Sequence, residues 1–219
     1  MDDLRMITGE LSGSYVADID YVFEQFSLSL RKHSRRVAIC CLLIAGSAMK
    51  EVMSFRNYPH EVSLDIVAHL TGTLHDIGKT NFINEDSSGN SYRQHPENGA
   101  EFLQRYKSRL FSDDIQAKYV IDAVRFHHEQ PDGKGFPHQL KGNDIPLAAS
   151  ICAVADKIDH VAYNDKDIYT GGAYILKKIK REDGTVLQSS VVACMEKAWS
   201  QIVRHYIVWN SHQEQGRKV

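Results

Sequence analysis

The sequence predicts an all-α protein, and three observations carry that expectation. Apolar residues recur at three- and four-residue steps through most of the chain. Strict apolar–polar alternation is scarce, and no series of short β segments with turn signals appears. The prolines (Pro59, Pro96, Pro131, Pro137 and Pro146) all fall near places where a helix would break.

The elements follow in chain order. Residues 1–25 read as a segment packing on the core. A helix opens at His33 with HSRRVAICCLLIAG. Its apolar run, Val37 to Gly46, is far shorter than the about 20 residues that cross a bilayer, so it predicts a buried helix. Ile66, Leu70, Leu74 and Ile77 mark the next helix, with Gly78 as its C-terminal stop. His95 immediately precedes a helix whose first turn holds Pro96 and whose apolar face carries Ala100, Leu103 and Tyr106. Ile115, Tyr119, Val120, Ala123 and Val124 form another stripe, which His127 continues. After Pro146, Ile151, Ala155 and Ile158 define a further helix. Residues 84–94 and 129–146 are polar loops, and 163–172 is a hinge. A last helix is expected over about 186–209, with Val191, Val192, Met195, Trp199 and Ile202 to bury against the core or another subunit. Residues 26–163 are thus the core of one bundle and 164–219 a helical extension of it.

With 219 residues, 42% hydrophobic and 25% charged, the chain is long enough for one substantial core. A net charge of −2 excludes the basic footprint of a DNA-binding protein, while leaving room for a small anionic ligand. Cys40, Cys41, Cys152 and Cys194 show no CxxC spacing and no secretory leader is evident, so reduced thiols in the cytoplasm and no membrane association are expected.

Histidine and aspartate placement points to chemistry. His33, His75, Asp76, His95, His127, His128 and Asp156 all fall at expected helix ends or on faces that should be buried. A buried imidazole needs partners for both nitrogens and a buried carboxylate needs a counter-charge. A divalent cation meets both needs, and these donors suit Fe, Mn, Zn, Co or Ni. Seven ligands are too many for one ion with open positions. Two ions sharing a bridging carboxylate, with a hydroxide between them, use the set naturally. Ordinary readings of the same residues exist. His75 suits a helix C-terminus, His33 a solvated helix start, and His95 a turn. Asp156 reads as a buried acid partnered by Asp159 or His160. Gly133 and Gly135 are ordinary in turns, and His60, His69, His138, His160, His205 and His212 read as structural or surface residues.

The motifs taken together resemble a known family. His75-Asp76 followed by Ile77-Gly78-Lys79 is similar to the defining doublet of the HD metal-dependent phosphohydrolases. HSRRVA at His33, HPENGAEFL at His95, HHEQPDGKGFP at His127 and VADKID at Val154 resemble successive motifs of the HD-GYP subfamily. The match spans roughly residues 26–163. It implies a bundle of HD-domain type and a bacterial second-messenger enzyme that hydrolyses a cyclic dinucleotide, usually cyclic di-GMP. It places His33, His75, Asp76 and Asp156 around one ion and Asp76, His95, His127 and His128 around the other, with Asp76 bridging. Iron or manganese are the expected ions, with zinc, cobalt or nickel compatible. Lys79 would face a phosphate oxygen. The loop Asp132, Gly133, Gly135, Phe136 and Pro137 would form a rim for substrate or a signalling-protein partner.

The chain also departs from that pattern. The subfamily's tyrosine is Phe136. Ser29 stands where some members carry a third-metal acid, favouring two ions. After Asp156 the arginine-rich element of many members is replaced by Asn164-Asp165-Lys166-Asp167-Ile168-Tyr169, where Lys166 could partly substitute and the aspartates would repel a dinucleotide. No receiver or sensor domain is evident, so regulation is expected from a partner or oligomerisation, or to be absent. Two competing functions follow: hydrolysis of another nucleotide or phosphodiester, and a weakly active metal-bound module that docks a partner.

Overall fold

Residues 17–49, 62–80, 91–163 and 166–215 are described by the structure, a computed structural model. Helices α1 (Ala17–Glu24), α2 (Leu28–Met49), α3 (Leu64–Leu74), α4 (Ser91–Arg105), α5 (Lys107–Leu110) and α6 (Asp114–Phe126) come first. They are followed by α7 (Leu147–Ala162), α8 (Ala173–Lys180) and α9 (Ser189–Gln215). Short 3-10 turns occupy Ile77–Lys79, Gly142–Asp144 and Lys166–Thr170. Among the described residues there is no strand, only an isolated bridge between Asp183 and Leu187, so the all-α expectation holds.

The core has two lobes. In one, Val37, Cys40 and Ile44 of α2 meet Ile151 and Ile158 of α7, Ile175 of α8 and Met195 and Ile202 of α9. In the other, Ile19 and Phe23 of α1 join Leu70 and Leu74 of α3, Leu103 of α4 and Val120 and Val124 of α6. Helices α2, α3 and α7 pack on one another between the lobes, and the polar constellation sits among them. The apolar face of α9 buries against the core of its own chain: Val191, Val192, Met195 and Ile202 are all buried.

Three sequence expectations are corrected. His33 does not open its helix but lies within α2, which begins at Leu28. His95 does not precede its helix; α4 starts at Ser91 and contains both His95 and Pro96. Pro96 has no N–H for the carbonyl of Tyr92, one turn back. That carbonyl instead accepts from His95 Nδ1 at 2.6 Å, so the proline is accommodated and the histidine is held. Gly78 does not stop α3 by a left-handed turn. The helix has already ended at Leu74, and Asp76 leaves helical geometry at φ −100° and ψ 12°. Gly78 is needed for contact instead, because a Cβ there would stand 2.0 Å from the carbonyl oxygen of His95 and 2.8 Å from Gly99 N. The loop expected at 84–94 is helical from residue 91, its earlier part lying outside the described residues, and the hinge at 163–172 includes the 3-10 turn at 166–170.

Gly78→Ala should lower the unfolding free energy by about 1–3 kcal/mol, because backbone rather than a flexible side chain must yield; urea denaturation measures it. A second outcome concerns His69 on α3. Burial, against a hydrogen bond to the Ala38 backbone, holds it down to about 4 from an ordinary 6.5. Between those values the unfolded chain binds the proton and the folded chain does not, so stability falls as pH drops from about 6.5 to about 4. The urea midpoint of His69→Gln should fall less between pH 7 and pH 5 than that of the parent protein.

Candidate metal centre

Three of the histidines end up with the same ring orientation for the same reason. A helix leaves its last four carbonyls without intrahelical donors. His75, at the end of α3, points Nδ1 at the Gly72 carbonyl at 2.9 Å. His127, at the end of α6, does the same to Val124 at 2.7 Å. His95 uses the carbonyl that Pro96 leaves free. Each Nδ1 therefore carries the proton, and in a neutral imidazole Nε2 is then a bare lone pair. Burial first, then neighbouring imidazoles, holds His127 well below the ordinary range, and burial likewise lowers His75 despite nearby Asp76 and Asp156.

These lone pairs converge. His95 Nε2 and His127 Nε2 stand 3.2 Å apart, and His95 Nε2 is 3.2 Å from Asp76 Oδ1. On the other side of Asp76, Oδ2 lies 3.5 Å from His75 Nε2 and 3.7 Å from His33 Nε2. His33 Nε2 is 3.3 Å from His75 Nε2 and 3.1 Å from Asp156 Oδ1. Donors bound to one ion at about 2.1 Å lie about 3.0–3.4 Å apart at right or tetrahedral angles. Four of the six separations fall in that range, and the two to Asp76 Oδ2 exceed it by 0.1 and 0.3 Å. Asp76 Oδ1, Asp156 Oδ1 and His128 Nε2 are moreover buried with no hydrogen-bond partner among the described residues. The bare nitrogens of His75, His95 and His127, this close to one another and to Asp76, repel unless a cation lies between them, whereas without an ion His33 carries a proton itself. The donor set therefore fits two cations, with one oxygen of Asp76 toward each.

The electrostatics of the two sides differ. Burial works against an ionised Asp76, but His75, His95 and Lys79 outweigh it and hold its carboxyl well below the usual range. Burial also opposes a charged His33, yet the flanking carboxylates of Asp156 and Asp159 raise it to about 9. His128, buried beside His95, falls to about 3. Lys79 donates to Asp76 Oδ2 at 2.7 Å, with its side chain still 31% exposed.

His33 has no free helix carbonyl for its Nδ1 and uses a carboxylate instead, Asp159 Oδ2 at 2.7 Å. That carboxylate is itself braced. Arg36 donates through Nε to Oδ1 at 2.7 Å and through Nη2 to Oδ2 at 2.9 Å, and the Tyr206 hydroxyl donates to Oδ1 at 2.6 Å. Tyr206 stands on α9, so the C-terminal helix reaches the orientation of His33 through two side chains.

His128 follows the last free carbonyl position and is held by a ring. Phe136 stacks on it with centroids 4.8 Å apart and planes at 31°, while Arg93 lies over Phe136. The loop is rigid because the buried Glu129 carboxylate accepts from the amides of His138 at 2.6 Å and Leu140 at 2.9 Å. Phe136 N donates to His128 O, Asp132 accepts from Lys134 N, and Gly133 adopts φ +79°. A Cβ on Gly135 would come within 2.6 Å of the backbone of His128, Glu129 and Gln130. Pro137 closes the turn through a cis peptide bond with Phe136.

The seven sequence-selected donors thus lie together. Ser29 is exposed and its hydroxyl turns to Ser27. Lys166 heads the 3-10 turn at 166–170, its side chain outside the described residues, as is Asp165. Asp167 accepts from the amides of Tyr174 and Ile175 at 2.7 and 3.3 Å, so its charge serves the start of α8. Residues that sequence reasoning did not select are Tyr92, Glu129, Arg36 and Tyr206. Tyr92, 58% exposed, packs its ring near His95, His128 and Phe136. Its place three residues before His95 was the available signal.

A family model described as the HD domain matches residues 30–160. A 3'3'-cGAMP-specific phosphodiesterase of Vibrio cholerae is 29% identical over 208 residues, covering 93% of this chain and 37% of that protein. A cyclic di-GMP phosphodiesterase of Pseudomonas aeruginosa is 34% identical over 134 residues, covering 57% and 29%. A probable cyclic di-GMP phosphodiesterase of Vibrio cholerae is 58% identical over 95 residues, covering 39% and 22%. The chain therefore spans between 22% and 37% of the length of these relatives. The crystal structure of a cyclic GMP-AMP specific phosphodiesterase of V. cholerae aligns with a TM-score of 0.56 at 16% identity, covering 84% of this chain and 49% of that one, a likeness of fold.

Asp159→Asn turns an N–H donor toward the donors of Arg36, His33 or Tyr206. It should destabilise the protein by about 3–5 kcal/mol, as for a broken buried ion pair. Tyr206→Phe should cost less, about 1.5–3 kcal/mol, for one hydrogen bond to a charged carboxylate and a weak one from Cys40 Sγ. Urea unfolding of the two variants should return that order.

Proposed function

The chain belongs to the HD domain family, and from that premise we propose that it is a metal-dependent phosphodiesterase hydrolysing a cyclic dinucleotide, cyclic di-GMP or a related one. The observation that carries the reading is the double donor set joined through Asp76, whose two oxygens face opposite clusters of bare imidazole nitrogens. His33, His75, Asp76 and Asp156 would hold one ion, and Asp76, His95, His127 and His128 the other. Iron or manganese are the expected ions, and zinc, cobalt or nickel suit the same donors. Two ions held there would supply an acidified water and positive charge against the phosphodiester oxygens.

The chain's own residues supply the rest. Asp156, His127 and His128 line an open cleft of about 370 Å³, bounded also by Tyr92, Gln130 and Lys178. The Lys79 ammonium, paired with Asp76, would add fixed positive charge where negative charge grows on a phosphodiester held at the metal centre. Tyr92 offers an exposed ring on which a base can stack. Lys178, on α8, brings a cation to the wall of the cleft, where it could meet a phosphate. In the hydrolysis the water oxygen bonds to phosphorus, the ester bond to a ribose oxygen breaks, and that oxygen receives the proton. Docking of a signalling protein through Gly135-Phe136-Pro137 is less favoured, because the Phe136 ring lies on His128.

Another nucleotide is the second reading, favoured by Asn164–Tyr169 in place of the arginine element. Incubation with cyclic di-GMP, 3'3'-cGAMP and bis(p-nitrophenyl) phosphate, each with Fe(II) or Mn(II), separates the two. A linear dinucleotide should form from at least one cyclic dinucleotide, and Asp76→Ala should abolish turnover and lower metal content. Cleavage of the simple diester alone would remove the cyclic-dinucleotide assignment.

A further inference from the structure

We propose that His160, outside the donor set assigned above, is an additional metal ligand on the solvent side of the first cluster, sharing Asp156 and His33. The inference rests on reading that cluster as a metal centre. His160 follows Asp156 by one turn of α7, so the two side chains leave the same helix face. His160 Nε2 lies 3.4 Å from Asp156 Oδ1, and His33 Nε2 is 3.1 Å from the same oxygen. The His33 and His160 rings are 5.2 Å apart at 38°. One donor atom from each of the three residues falls within 4.8 Å of the other two.

Asp156 supplies the second, independent observation. Its Oδ1 is buried and no hydrogen bond of good geometry reaches it, although His33 Nε2 at 3.1 Å attracts it electrostatically and His160 Nε2 stands at 3.4 Å. A surface His–Asp pair would leave its carboxylate solvated or hydrogen-bonded, and such a pair contributes little. Here the oxygen is closed off by protein while His160 itself remains 63% exposed and borders the cleft. A cation between Asp156, His33 and His160 satisfies the orphaned oxygen and gives the exposed ring a defined role. An added imidazole also biases the centre toward cobalt, nickel or zinc over manganese, since manganese prefers oxygen donors.

The test is metal binding by the full chain after chelator treatment. Cobalt(II) and manganese(II) are titrated by calorimetry, and cobalt also by its visible absorption, into the parent protein, His160→Ala and His160→Gln. Circular dichroism checks that the variants fold, as expected for an exposed helical position. Residues that merely orient a ligand change metal affinity about 10–100-fold, so losing a direct ligand should weaken or abolish one cobalt site by at least about tenfold. The cobalt absorption should change, manganese binding should weaken less, and the other cobalt site should keep its affinity. Unchanged cobalt affinities and absorption in both variants, with the parent protein binding cobalt, would overturn the assignment of His160 alone. A parent protein that binds no cobalt or manganese would overturn the metal centre itself, and His160 with it.

Discussion

The site depends on one local interaction repeated three times, an imidazole Nδ1–H given to a main-chain carbonyl three residues earlier. The interaction is available only where a helix has carbonyls to spare, at its C-terminus or beside a proline. Helices α3 and α6 therefore end where they do for a chemical reason: His75 and His127 must sit on the last turn to find Gly72 and Val124. In α4 the same need is met without ending the helix, because Pro96 releases the carbonyl of Tyr92. Once Nδ1 is committed, the bare Nε2 atoms can be aimed, and packing brings them to 3.2–3.3 Å from one another or from His33. The Gly78–His95 backbone contact sets that approach, which is why the segment after Asp76 cannot carry a Cβ at that point.

The two halves of the site are built on different electrostatic plans. One is rich in acids: His33 is flanked by Asp156 and Asp159, which raise it, and Asp159 is held ionised by His33 and Arg36 together. The other is rich in imidazoles, where burial and mutual proximity keep His127 and His128 neutral. Asp76 belongs to both. A carboxylate held ionised by its surroundings turns one oxygen to each cluster and so joins them. The C-terminal helix is coupled to the acidic half through Tyr206 and Asp159 to His33.

Much of this was legible in the residues. Periodicity placed α3, α6 and α7 and their buried faces, and the spacing of histidine and aspartate motifs selected all seven donors that the structure gathers. What was not legible concerns partners distant in sequence. His33 and Asp159 are separated by 126 positions, and Asp159 and Tyr206 by 47, so no local pattern announces the brace. His95 was expected before its helix because proline favours a first turn; a side chain replacing the lost hydrogen bond overrides that preference. Gly78 reads as a helix stop in any sequence, and only the packing of α4 shows it as a contact. His160 reads as a structural or surface residue and as a partner of Asp156, and it is indeed 63% exposed with Nε2 3.4 Å from Asp156 Oδ1; the orphaned oxygen itself has no sequence signal.

The adjacent pair His127-His128 shows why a stiff loop must follow a helix end in this architecture. His127 takes the last usable carbonyl of α6, and His128, one residue on, has none. Its ring must be fixed by something that does not come from the helix. Phe136 does this by stacking, which requires the chain to fold back within eight residues and to hold that reversal. The buried Glu129 carboxylate ties the returning strand of loop by two amides, and Gly135 lets the backbone pass over residues 128–130 at a distance no side chain permits. The glycine- and proline-rich run is therefore the scaffold of a single imidazole. Replacement of the subfamily's tyrosine by Phe136 leaves that function intact, since the stacking face is retained and only a hydroxyl is lost.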